Sequence, residues 1–101
     1  MNLRFEDEAL EDLRKLDEEI HENILRQIYD LEEKPLPENS DVIPLEDGTQ
    51  MQRLKLQEED RNSRLNHRVF YNLEDKTIHI YGIFKRKTGY KEMKQKTQQR
   101  L

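Results

Sequence analysis

Four cations in this chain are spaced so that adjacent strands would gather them: Arg53, Lys55, Arg68 and Arg86. Arg53 and Lys55 stand two residues apart, so in an extended segment both project from one face. Arg68 lies on a second β-like run and Arg86 follows a third. A three-stranded antiparallel meander would bring all four to one side of a sheet. Such a set suits cleavage of RNA without a metal. That reaction needs a base to take the proton from a 2′-hydroxyl, cations to stabilise a pentacoordinate phosphorane, and an acid to protonate the leaving 5′-oxygen. Crowded positive charge lowers a lysine's pKa, which makes Lys55 the candidate base. An arginine holds phosphate with two parallel N–H donors, and Tyr90, four residues after Arg86, could stack on a base. By spacing alone, the polar outer face of a half-buried sheet explains these residues at least as well.

Other chemistries find no support. The three glycines are scattered and form no phosphate loop. His21, His67 and His79 are far apart and lack the spacing of metal-ligand pairs, so they read as structural or surface residues and neither metal nor cofactor is expected. With no cysteine, disulfides and thiolate metal sites are excluded. The acids Glu6, Asp7, Glu8, Glu11 and Asp12 read as a solvated helical face.

Charge is segregated along the chain. Residues 1–50 carry sixteen acidic and five basic side chains, and residues 51–101 carry six acidic and thirteen basic ones. The overall −4 therefore conceals a basic second half, which also holds most of the aromatic residues. Basic charge beside aromatics suits a polyanion-binding face; two halves that neutralise each other within one fold is the alternative. At 101 residues the chain is a single domain, 1–101, with one modest core. No apolar run reaches the ~20 residues of a membrane span, and no basic-then-apolar N-terminal segment marks a signal peptide. A cytoplasmic location is the expectation.

The elements that would position the cations follow from periodicity. Asn2 to Phe5 could pair as an edge strand. Leu10, Leu13, Leu16, Ile20, Ile24, Ile28 and Leu31 recur in steps of three and four, predicting helices over about 6–16 and 18–33 with Asp17 as N-cap; one continuous helix also fits. Pro35 and Pro37 end the helical region. Glu38 to Gln50 is a connector with an extended piece at Val42–Leu45 and a turn at Asp47–Gly48. Strands follow at 51–57, 64–73 and 77–84, the last and most apolar being the expected central one. The basic tail from Lys85 is loosely helical. The predicted class is α+β, a helical hairpin packed on a small, mainly antiparallel sheet.

In this setting the chain resembles the RelE/ParE superfamily of toxins. The resemblance lies in Asp41-Val42-Ile43-Pro44-Leu45-Glu46, Arg53-Leu54-Lys55-Leu56, His67-Arg68-Val69-Phe70-Tyr71 and the closing Lys85-Arg86-Lys87-Thr88-Gly89-Tyr90. It covers nearly the whole chain, and the connector resembles archaeal RelE. The resemblance implies a cytoplasmic, metal-independent mRNA endonuclease that works in the ribosomal A site and is neutralised by a co-expressed antitoxin. Carried over by position, Lys55 is the general base, Arg53 a phosphate-binding cation, Arg68 the contact to the scissile phosphate and Arg86 the acid or stabiliser. Tyr90 corresponds approximately to the base-stacking tyrosine, and Lys85 and Lys87 add substrate contacts.

Two other readings belong to the same resemblance. One is a ParE-like inhibitor of DNA gyrase. The other is a catalytically weakened member acting as a protein-binding module, which the net negative charge and the acidic run Glu58-Glu59-Asp60 favour.

Overall fold

A computed structural model describes residues 1–45, 47–56, 66–85 and 90–101, with the backbone alone at Tyr90. The chain begins with β1 (Asn2–Phe5), then α1 (Asp7–Arg14) and α2 (Glu18–Tyr29), and a 3₁₀ turn at Asp30–Glu32. The helical stretch is therefore broken where Asp17 was expected to cap, and Asp17 is extended there, at φ −58° and ψ 148°. Its side chain makes no capping hydrogen bond. Ala9, Leu13, Ile24, Ile28 and Leu31 form the buried stripe. Leu10 does not belong to it: the residue is 44% exposed, and the smaller Ala9 takes the inward position.

The strands β2 (Ser40–Pro44), β3 (Gln50–Lys55), β4 (His67–Glu74) and β5 (Thr77–Lys85) complete a five-stranded sheet in the order β1-β5-β4-β3-β2. Only β1 and β5 run parallel, Asn2 opposite Thr77; the other pairs are antiparallel. The central strand is thus β4. The more apolar β5 lies beside it because the N-terminal strand adds at its outer side, a pairing that local periodicity does not reveal. Gly48, at φ +87°, makes the expected turn before β3, and the Asp47 carboxylate accepts from the Thr49 amide at 2.9 Å. Asp75 takes the left-handed conformation in the β4–β5 hairpin, at φ +57°, which short polar side chains tolerate.

Strand alternation divides the core into two. Leu54, Leu56, Val69, Tyr71, Ile78, Ile80 and Ile83 face the helical hairpin. Ile43, Leu45, Met51, Phe70 and Phe84 face the other way and are covered by Met93 of α3 (Tyr90–Arg100). The basic tail is therefore a docked helix. Its inward residues are few, Met93 and the fully buried Thr97 one turn apart, so a lysine- and glutamine-rich segment carries little apolar signal.

Polar contacts complete the docking. The Arg100 guanidinium donates to the Asp12 carboxylate of α1 at 2.8 Å and to the Tyr81 carbonyl at 3.0 Å. It also lies 5.1 Å from the centre of the Phe84 ring. A bulge explains its position: Phe70 pairs with Gly82 but Tyr71 with Ile80, leaving Tyr81 as the extra residue on β5. The Ile83 amide beyond the bulge donates to Asp12 at 2.9 Å. A Cβ at Gly82 would meet Arg100 Nη1 at 2.5 Å and the Phe84 ring at 2.7 Å, so glycine makes room for both. Asp12 is consequently a largely buried anchor and not part of a solvated acidic face. Among the described residues no helix is long and apolar enough to cross a membrane.

Candidate functional site

Lys55 and Arg68 are direct cross-strand partners on β3 and β4, and Arg53 pairs with Phe70 two residues along. Directly opposed residues share a sheet face. Arg53, Lys55 and Arg68 therefore stand together, on the same side of the sheet as Met51 and Phe70. Lys55 is the last residue of β3, and Asn39 brackets its backbone. The Lys55 amide donates to the Asn39 carbonyl at 2.9 Å, and Asn39 Nδ2 donates to the Lys55 carbonyl at 2.6 Å. The Lys55 side chain is about half exposed. Arg68 Nη1 donates to the His67 carbonyl at 3.1 Å.

An acid stands among these cations. Asp41 on β2 lies directly opposite Arg53. Arg53 Nε donates to Asp41 Oδ1 at 2.9 Å and Arg53 Nη2 to Oδ2, a bidentate pair. Lys55 Nζ is 3.8 Å from Asp41 Oδ2. The hydrogen bond from Arg53 holds the Asp41 carboxyl below its ordinary pKa, against the opposing effect of burial, and the charges of Arg53, Lys55 and Arg68 add to that lowering. Among the described residues the group therefore carries three positive charges and one negative. In the sequence Asp41 figures only within the segment that carries the resemblance and Asn39 not at all; the β2–β3 register brings them to the cations.

Lys85 is not with this group. It pairs with His67 and, by alternation from Ile83, belongs to the hairpin side. There it lines a cavity of about 300 Å³ with Lys15, Leu16, Asp17, Ile20, Asn66 and His67. Arg86 and Lys87, the Tyr90 side chain and the acidic run at 58–60 lie outside the described residues.

The His67 carbonyl accepts from Arg68, but the His67 ring lines the hairpin-side cavity. His67 is 3% exposed; its Nδ1 accepts from the Asn66 amide at 3.2 Å and its Nε2 has no hydrogen-bond partner. Burial first, and the Lys85 charge second, push its pKa down. His79 lies between Glu6 and Glu74, with nitrogen–oxygen distances of 3.6 and 3.9 Å, and stacks near Tyr81.

No protein-family model and no curated protein matches the chain. Solved structures do. The archaeal RelE–RelB complex of Pyrococcus horikoshii aligns over 87% of this chain and 97% of the matched chain, with 26% identity and a TM-score of 0.64. The isolated E. coli RelE toxin aligns over 88% and 87%, at 22% identity and a TM-score of 0.65. The RelBE2 toxin–antitoxin complex of Mycobacterium tuberculosis aligns over 84% and 96%, at 23% identity and 0.65. The α+β architecture of this chain is that of the RelE toxins, the fold that the resemblance implies.

Proposed function

We propose that this protein is the toxin of a type II toxin–antitoxin system, and that it is a metal-independent endoribonuclease cutting mRNA in the ribosomal A site. The observation that carries the reading is the direct cross-strand opposition of Lys55 and Arg68, with Arg53 on the same face. Likeness in fold to RelE toxins supports it, and matched structures include toxin–antitoxin complexes.

In this reading Lys55 takes the proton from the 2′-hydroxyl as O2′ attacks phosphorus. Arg68, with Arg53 beside it, stabilises the charge that builds on the phosphorane oxygens. The bond from phosphorus to the 5′-oxygen then breaks, and Arg86 supplies the proton or stabilises the phosphate. The products are a 2′,3′-cyclic phosphate and a 5′-hydroxyl. Tyr90 stacks on a base beside the cut, and Lys87 adds a contact to the RNA backbone. The partners are mRNA in the ribosome and a cognate antitoxin, all in the cytoplasm.

Inducible expression without antitoxin tests this. Wild type should arrest growth and cleave mRNA, whereas Lys55→Ala, Arg68→Ala and Arg86→Ala should lose at least about a hundredfold in cleavage. Wild-type expression that leaves growth and mRNA untouched sinks the ribonuclease. One observation favours a second reading, a weakened member serving as a protein-binding module: Asp41 already neutralises part of the cationic group. A tight complex with a neighbouring gene product and no toxicity would mark it. DNA damage without mRNA cleavage would mark a gyrase inhibitor instead.

A further inference from the structure

The Arg53 guanidinium offers anions an edge formed by Nε and Nη2, and in this protein both groups donate to the Asp41 carboxylate. A carboxylate and a phosphate meet that edge in the same bidentate way. Asp41 also approaches Lys55, at 3.8 Å. One acid therefore touches two of the cations that a phosphodiester would have to reach. The contact is rigidly placed. Asp41 and Arg53 are opposed in the β2–β3 ladder, and Asn39, just before β2, fixes the backbone of Lys55.

We propose that Asp41 is an internal competitor for phosphate: its carboxylate occupies the anion position beside Arg53 and Lys55, and substrate phosphate binds there only by displacing it. The inference rests on reading this face as a phosphate-binding one, and it adds a built-in restraint. Arg53, with its side chain 19% exposed and its Nε–Nη2 edge engaged, is the cation most restrained. Lys55, about half exposed, is the one that an incoming phosphate meets first. Among the described residues, neutralising Asp41 raises the charge of the group from +2 to +3 and removes the competing carboxylate from the arginine's Nε–Nη2 edge, with little change in side-chain volume.

Two arms test the proposal. In the first, the Arg53 Nε–H resonance is followed by NMR while inorganic phosphate is added to wild type and to Asp41→Asn, with Asp41→Ser as a second variant should the first fail to fold. The resonance should move saturably in the variant and stay fixed in wild type. An equal response in the two proteins, or none in the variant, overturns the assignment. In the second arm, binding of a 2′-O-methyl RNA oligonucleotide, which cannot be cleaved, is measured against salt. Asp41→Asn should bind about fivefold tighter, the effect of one unit charge about 4 Å away in water. Its salt dependence should steepen by about 0.7, one extra contact to single-stranded phosphate. If phosphate reaches Arg53 in the variant but neither protein binds the oligonucleotide, the ribonuclease reading falls and the role of Asp41 stands. Weaker oligonucleotide binding by Asp41→Asn would overturn the competitor role.

Discussion

Asp12 and Arg100, eighty-eight residues apart, form a largely buried ion pair that fastens α3 to α1, and the same Asp12 carboxylate accepts the Ile83 amide beyond the β5 bulge. Removing the acid strands a guanidinium and a backbone donor together. Asp12→Ala should therefore lower the free energy of unfolding by about 2 kcal/mol in urea titrations. Arg100→Met should cost less, because Asp12 keeps its bond to the Ile83 amide.

Gly82→Ala should destabilise the protein by about 1–3 kcal/mol, the ordinary cost of overpacking. The added methyl would stand within 3 Å of both Arg100 and the Phe84 ring. Combining it with Arg100→Met should relieve part of the loss, since the long side chain is then gone, while the Phe84 clash remains. A double-mutant cycle measures the coupling.

His67 should make stability fall on the acid side. Its pKa in the fold lies below the 6.5 of a free histidine because burial disfavours the cation. Above that value both folded and unfolded forms are neutral at this site and its contribution is complete. As pH drops through 6.5 the unfolded chain takes up a proton first, and stability is lost until the folded-state pKa is passed. His67→Gln, neutral throughout, should flatten that part of the curve relative to wild type in chemical denaturation.

On the proposed ribonuclease activity, Asn39→Ala should reduce mRNA cleavage by about tenfold while leaving the Lys55 side chain chemically intact, because it removes one of the two hydrogen bonds that hold the strand end aiming the lysine. Primer-extension mapping after induction gives the measurement. Cleavage at the wild-type level would show that β3 alone positions Lys55.

The helical hairpin and the meander were legible because their apolar residues repeat with clear periods, and Pro35 and Pro37 mark where one pattern yields to the other. That Arg53, Lys55 and Arg68 share a face is what alternation leads one to expect, whereas the direct opposition of Lys55 and Arg68 belongs to the β3–β4 register. What sequence could not supply was register. Asp41 meets Arg53 across an irregular connector, and Asp12 meets Arg100 across nearly the whole chain, so neither pair has a local signature. Lys85 stands on the hairpin side because neighbours on a strand point to opposite sides. Adjacency to Arg86 in sequence says nothing about sharing a face with Lys55. As for α3, two inward residues among many polar ones are too few to announce a packed helix.

The topology also sorts the contacts by the length of chain they must close. From β2 to β5 every strand pairs with its successor, so that part of the sheet can assemble by consecutive antiparallel pairings. Strand β1 finds its partner only after Thr77 exists, and α1 receives Arg100 later still. Closing such long loops is the slow part of folding. The cationic face, which needs β2, β3 and β4 alone, should thus be formed while β1 and α3 are still unfastened. A newborn chain would carry its cationic face before it is stable, and in that interval Asp41 is already in place beside Arg53.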